Sequence, residues 1–155
     1  MKNFLLIIYL ILSSTFGALA NNSNILDSLR TYYLTVVTNK ESCIKWMESA
    51  EKLQESNPIF KAYLGYIQTV RANHVINPIN KLKTFNEGKS NIEKAIKLDS
   101  NCVEIRFLRL SVQKNAPNFL NYNQHIQADM QYIKKYKHLI TSKLLLDNIQ
   151  LLVKQ

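Results

Sequence analysis

Apolar residues recur at helical spacing along most of the 155-residue chain, whereas the alternation that marks β-strands is nowhere sustained. Glycine and proline, which interrupt helices, occur only three times each. The pattern therefore predicts an all-α protein of about seven helices joined by short turns. We expect these helices at about 22–37, 41–56, 58–72, 81–98, 103–114, 118–137 and from 142 onward.

Two asparagine–proline pairs mark predicted helix boundaries. The residue before a proline is driven out of helical geometry, so Asn57-Pro58 and Asn77-Pro78 should each separate two helices. The helix that begins at Pro58 carries small residues at every third or fourth position. Small side chains let two backbones approach closely, so we expect a second helix to pack on this stripe. Its members are Ala62, Gly65, Thr69 and Ala72.

Two segments resemble the helix pair of a tetratricopeptide repeat. Residues 62–70 (AYLGYIQTV) are similar to the first helix of such a unit, and residues 88–101 (GKSNIEKAIKLDSN) to the second. The second segment has Gly88, Ile92 and Ala95 at its small, bulky and small positions. About ten extra residues separate the segments, and Ser100 stands where the family usually has proline.

The resemblance implies antiparallel helix hairpins in a TPR-like, right-handed stack, with a capping helix at the C-terminus. It also implies a scaffold that binds other proteins rather than a particular chemistry. The wider stretch 58–129 is similar in pattern to small exported helical proteins.

The first twenty residues have the order of a secretory signal peptide. One lysine precedes nine apolar residues, and the segment ends in Ala18-Leu19-Ala20, a small-x-small cleavage site. The apolar stretch is shorter than the roughly 20 residues of a membrane-spanning helix. We therefore expect cleavage after Ala20, no stable membrane insertion afterwards, and an exported product in the periplasm or outside the cell. Residues 21–155 would then form a single helical domain.

Basic residues outnumber acidic ones, with a formal net charge of +9. Removal of the first twenty residues takes away one lysine and leaves a net charge of +8. A basic surface can attract nucleic acid or an anionic membrane. The lysines are spread along the chain, however, and export argues against nucleic acid. For the one dense run, 134–138 (KKYKH), a solvated surface and association with a membrane surface are the alternatives.

The helix predicted at 103–114 is apolar nearly all round but carries one polar stripe of Arg106, Arg109 and Gln113. Buried arginines are almost always paired with carboxylates. The candidate partners are Glu93, Asp99, Glu104 and Asp129. Alternatively, the stripe forms an anion-binding groove, in which planar guanidinium groups bind a peptide carboxylate or another small anion.

These features predict a non-enzymatic module that binds a protein or a peptide. A shallow concave face with exposed Tyr63, Tyr66 and Tyr122 would favour that function. A deep, water-filled pocket at the arginines would favour a ligand carrier or a small enzyme instead. The sequence contains no glycine-rich phosphate loop and no nucleophile elbow, so no catalytic residue and no cofactor are predicted.

Three further features leave alternatives open. His125 and Asp129 are spaced like two metal ligands on one helix, but no second pair accompanies them, so we expect a surface hydrogen bond and no metal. Cys43 and Cys102 form either a disulfide or two free, partly buried thiols. The leucine-rich segment 141–155 either seals the stack or mediates self-association.

Overall fold

The computed structural model describes residues 22–154, and this part of the chain is all-helical, with no β-strand. The predicted signal peptide, residues 1–20, lies outside the described residues. Short 3₁₀ turns occupy Ala72–His74, Asn118–Leu120 and Lys137–Leu139. None of the described helices is long and apolar enough to cross a membrane. The eight α-helices are α1 (22–31), α2 (Thr35–Thr38), α3 (Lys40–Leu53), α4 (Pro58–Arg71), α5 (Pro78–Leu98), α6 (Val103–Asn115), α7 (Ile126–Tyr136) and α8 (Lys143–Lys154).

Asparagine side chains fix the starts of α4 and α5. Asn57 and Asn77 each accept a hydrogen bond from the backbone N–H two residues later, at 2.9 and 3.0 Å. Pro58 and Pro78 occupy the first helical positions, where a missing N–H removes no helical hydrogen bond. Both asparagine–proline pairs separate helices as predicted, but α5 begins at Pro78, three residues before the predicted start at residue 81.

Helix α4 lies at the centre of the protein. Eleven of its 14 residues are buried, and it packs against α3, α5 and α6. Leu29 of α1, Phe107 of α6 and Ile149 of α8 belong to the same apolar core. Elements from both ends of the described chain therefore contribute to one apolar core.

Helices α4 and α5 approach each other closely at two glycines. A Cβ atom added to Gly65 would lie 2.6 Å from the carbonyl oxygen of Gly88, and one added to Gly88 would lie 2.5 Å from the carbonyl oxygen of Gly65. Rotation of a side chain cannot relieve such contacts, because the opposing atoms belong to the backbone. Thr69 also contacts Gly88. The predicted packing of a second helix on the stripe of small residues is confirmed.

The first predicted helix, 22–37, is wrong at its C-terminal end, because a turn at residues 32–34 divides it into α1 and α2. At this turn the hydroxyl of Tyr33 forms a hydrogen bond of 2.5 Å with the hydroxyl of Ser111. The carbonyl oxygen of Tyr33 accepts a hydrogen bond from the hydroxyl of Tyr66 at 2.9 Å. Contacts with residues distant along the chain therefore override the local preference for a continuous helix.

The sixth predicted helix, 118–137, is wrong over its first eight residues, because α7 begins only at Ile126. Asn118–Leu120 form a 3₁₀ turn after the extended Pro117, and Asn121 follows in a left-handed conformation with φ of 46°. A right-handed helix cannot continue through a left-handed residue. Asparagine is one of the few residue types that adopt this conformation readily.

The C-terminal helix α8 is attached to the rest of the protein along one face. The side-chain nitrogen of Asn148 donates a hydrogen bond to the carbonyl oxygen of Arg30 at 2.8 Å. Lys114 donates to the carbonyl oxygen of Leu152 at 2.9 Å. These bonds connect α8 to α1 and α6. The apolar residues that α8 buries are Leu145, Ile149 and Leu152.

The substitution Gly65→Ala tests the close contact between α4 and α5. The added methyl group would meet the backbone of α5, so the two helices must move apart. We expect the free energy of unfolding, measured by urea denaturation, to fall by about 1–3 kcal/mol, as in other overpacked cores.

The control is Ser90→Ala, at an exposed position of α5, which should change stability by less than about 0.5 kcal/mol. Alanine is intrinsically better than glycine in a helix by about 1 kcal/mol. A Gly65→Ala variant more stable than the natural protein would therefore contradict the close contact.

Candidate functional site

Arg109 of α6 forms a buried ion pair with Asp129 of α7. The Nε atom and one terminal nitrogen of Arg109 donate to the two carboxylate oxygens at 2.7 and 2.8 Å. Arg106 donates to the same carboxylate at 2.9 Å, and Glu93 of α5 accepts a further bond from Arg109 at 3.2 Å. Asp129 is fully buried. Two guanidinium groups, rather than water, therefore stabilise its charge. We call Glu93, Arg106, Arg109, Tyr122 and Asp129 the arginine cluster.

The groups around the two arginines stabilise their positive charges. Burial is the largest influence on the pKa of Arg109 and lowers it, because burial removes a cation from water. The hydrogen bonds and charge of Asp129, together with the charge of Glu93, outweigh burial and raise this pKa above its ordinary value. The guanidinium of Arg106 stacks 4.1 Å from the ring centre of Tyr132. Neither arginine needs a bound ligand to satisfy its charge.

The three tyrosines expected on an exposed concave face are buried. Tyr122 donates to Glu93 at 2.7 Å and so belongs to the arginine cluster. Tyr66 lies elsewhere and donates to the carbonyl oxygen of Tyr33. Tyr63 also lies elsewhere and donates to a carboxylate of α6. The structure therefore brings Tyr122 to Arg106 and Arg109 and leaves Tyr63 in the core, whereas the buried Tyr66 lines the cavity described below.

A second buried ion pair joins α1 to α6. Arg30 donates to both carboxylate oxygens of Glu104, at 2.9 and 2.6 Å, and the Tyr63 hydroxyl donates to one of them at 2.7 Å. Glu104 therefore pairs with Arg30 and not with the arginines of α6, which the sequence left open. Asp99, another candidate partner, instead accepts from the backbone N–H of Cys102 at 3.1 Å. Sequence reasoning did not identify Arg30.

His125 and Asp129 take separate roles. Asp129 binds the two arginines, whereas the His125 side chain is exposed and its backbone N–H donates to the Gln113 side-chain oxygen at 3.1 Å. Gln113 is buried, and its side-chain nitrogen has no hydrogen-bond partner among the described residues. Within residues 22–154, no group of three or more histidine, cysteine, aspartate or glutamate side chains could hold a metal ion.

Cys43 and Cys102 are free thiols. Cys43 is fully buried in α3, and its thiol donates to the carbonyl oxygen of Ile67 at 3.8 Å. Cys102 is half-buried directly before α6. Burial raises the pKa of both thiols, which keeps them protonated and unreactive at neutral pH. Of the two alternatives left by the sequence, the structure contains the free thiols.

A cavity of about 1010 Å³ opens between the ends of several helices. We call it the apolar groove. Its walls come from α2, the C-terminal parts of α4, α6 and α8, the N-terminal part of α5 and the turn Asn118–Leu120. Large apolar side chains stand around its mouth with 39 to 78% of their surface exposed. They are Leu34, Val37, Leu82, Phe119 and Leu151.

The floor of the apolar groove offers mainly apolar surface. Phe85 and Val112 are buried there. The polar groups that also line the floor bond within the protein: the hydroxyl of Tyr33 bonds with that of Ser111, and Thr69 donates to the backbone at 2.7 Å. At the floor, a ligand would therefore meet apolar side chains beside hydroxyl groups that already have partners.

The lining of the apolar groove contains one basic residue, Lys81, and no acidic residue. The segments that contribute to it, 33–40, 66–73, 78–85, 111–120 and 151–154, contain no aspartate or glutamate. They do contain six basic residues, of which Lys81 lines the cavity itself. None of the six pairs with a carboxylate in the described part of the chain. These residues are Lys40, Arg71, Lys81, Lys83, Lys114 and Lys154.

Sequence reasoning missed the groove because its lining comes from five segments between residues 33 and 152. One signal was present. No acidic residue occurs between Glu55 and Glu87, or between Glu104 and Asp129, and these stretches supply most of the walls. Comparison with protein-family models, with curated proteins and with solved structures found no match for this chain.

The substitution Arg109→Met tests whether the arginine cluster is structural. It would leave Asp129 fully buried beside a single guanidinium, so we expect the free energy of unfolding at neutral pH to fall by about 3–5 kcal/mol. Arg106→Met should cost less, because Arg106 is partly exposed and Asp129 keeps its bidentate partner. Thermal and urea unfolding both measure the loss.

Lys143→Met is the control, because Lys143 forms an exposed ion pair with Asp147 one turn away. Its loss should stay below about 1 kcal/mol. Unchanged or raised stability in Arg109→Met would show that the charge is kept at a cost to the fold, which would favour a ligand-binding role.

Proposed function

We propose that this chain is an exported, non-enzymatic module that binds a segment of another protein in the apolar groove. The observation that carries the proposal is the groove itself, with its apolar floor and its exposed leucine, valine and phenylalanine side chains. A concave apolar site rimmed by exposed apolar side chains is typical of a binding surface. Its volume of about 1010 Å³ lies at the upper end of the range for ligand pockets.

Export is proposed from the order of residues 1–20, with the periplasm or the cell exterior as the destination. We propose neither a cofactor nor a nucleic-acid partner. The partner is instead a protein or peptide that meets the module after export.

We also propose that the helices form a TPR-like, right-handed stack of hairpins. Gly65 contacts Gly88 and Ile92, while Thr69 contacts Gly88, which is the order expected if α4 and α5 run antiparallel. The segments that resemble the two helices of a repeat are the ones that meet in this contact. Helix α6 packs on both α4 and α5, as the next helix of a stack would, and α8 buries one face as a capping helix does.

The ion pairs support a structural role for Arg106 and Arg109 rather than a carrier function. A small-anion carrier would need guanidinium groups that are free to bind its ligand. Asp129 and Glu93 already bind them at 2.7 to 3.2 Å. An anion would have to displace a fully buried carboxylate, so we place the binding site in the apolar groove.

Selection of peptides from a random displayed library tests the proposed function. Leu82→Glu places a charge at the mouth of the groove, and Leu98→Glu places the same charge at an exposed position on the same helix, away from the groove. We expect the selected peptides to carry large apolar residues at helical or strand spacing, because these fill apolar sites. They should bind the Leu98→Glu variant as well as the natural protein and should lose binding to Leu82→Glu.

Near-ultraviolet circular dichroism checks that both variants are folded. Peptides that bind Leu82→Glu and the natural protein equally would contradict the groove as the binding site. Failure to select any peptide would contradict peptide binding itself.

A further inference from the structure

We infer that the partner segment is an amphipathic α-helix with an acidic polar face. This inference rests on the proposed function and adds the chemistry of the partner. Three properties of the apolar groove lead to it: the exposed side chains at its mouth, the helical nature of its walls and the charge around it.

The exposed mouth favours a protein segment over a small ligand. Phe119 is 78% exposed, and Leu34 and Leu151 are about half exposed. A small molecule enclosed in the cavity would leave these side chains in water. A segment that lies across the mouth would bury them together with the floor of the groove.

The walls favour a helical segment. They are built mainly from helices, whose backbone N–H and C=O groups bond within each helix. An extended segment in the groove would bury its own backbone polar groups without partners, whereas a helix satisfies them internally. Strand addition would need a free sheet edge, and residues 22–154 contain no strand. Two turns of a helix with side chains occupy about 1000 Å³, which matches the cavity.

The charge around the groove favours an acidic polar face. Lys81 lines the cavity and forms no salt bridge within the described residues, whereas Lys83 lines a separate pocket on another face of α5. The segments that contribute walls contain no carboxylate that could repel an acidic partner. A partner with glutamate or aspartate on its outer face would be steered to the groove and held in register by Lys81.

A second copy of the same chain fits less well. Helix α8 is amphipathic, but it carries Lys143 and Lys154 against the single Asp147. Helix α3 carries three lysines and three glutamates and is neutral. Neither helix complements a basic groove, so the partner is a different, acidic protein.

Two synthetic peptides of about 14 residues, roughly four turns, test the inference. Both carry leucine and phenylalanine at positions i, i+3, i+4 and i+7, and their remaining positions are glutamate in one peptide and lysine in the other. Fluorescence anisotropy measures the binding of each labelled peptide to the purified protein. We expect the glutamate peptide to bind at least about tenfold more tightly, with an advantage that shrinks as salt is added.

Two matched single variants separate local charge from net charge. Lys81→Glu reverses the one charge that lines the groove and should reverse the preference between the peptides. Lys134→Glu changes the net charge equally at a residue that does not line the groove, and should preserve the preference. A preference that responds equally to both variants would overturn the assignment of Lys81.

Other results would also overturn the inference. Equal binding of the two peptides would contradict an acidic partner but would not contradict the proposed function. If neither synthetic peptide binds but the library-selected peptides still bind at the groove, only the helical form of the partner is contradicted. If no peptide of either kind binds, the proposed function is contradicted as well. If no peptide binds, two other occupants can be tested with Leu82→Glu. Binding of phosphatidylglycerol vesicles that this substitution abolishes would identify a lipid surface as the occupant. Self-association that it abolishes would identify a second copy of the chain.

Discussion

The contact between Gly65 and Gly88 sets the spacing on which the rest of the structure depends. Because neither residue has a side chain, the backbones of α4 and α5 meet directly, and α4 becomes a central helix covered by its neighbours. Helix α5 continues for ten residues on the N-terminal side of Gly88, to Pro78. These residues and the last turn of α4 form part of the apolar groove. The position of the groove is thus a consequence of where two helices can touch.

Two buried ion pairs determine how α6 is oriented against this pair of helices. The arginine cluster joins α6 to α5 and α7, and the Arg30–Glu104 pair joins it to α1 and, through Tyr63, to α4. Buried ion pairs contribute little net stability compared with apolar packing, but an arrangement that separates the partners is strongly disfavoured. We therefore regard the charges on this nearly buried helix as determinants of one packing arrangement. This assignment leaves the groove, rather than the arginines, as the surface available to a partner.

The sequence predicted those features that depend on neighbouring residues. The asparagine caps and the prolines that follow them act locally, so the starts of α4 and α5 could be read directly, and the small residues around Gly65 revealed a close helix contact. Pairing of Arg106 and Arg109 with a carboxylate was one of the two alternatives considered. The turn at Tyr33 was not predictable, because it depends on Tyr66 and Ser111, which lie far along the chain. The groove was missed for the same reason.

Methyl NMR of the leucine- and valine-labelled protein during titration with the glutamate peptide tests the central claim most directly, because it locates the bound peptide on the structure. The account predicts that the methyl signals of Leu34, Leu82 and Leu151 shift together as the peptide is added, while those of the exposed Leu98 and Leu139 stay in place. Shifts that centre on the methyl groups beside the arginine cluster, or that spread equally to Leu98 and Leu139, would contradict the groove as the binding site.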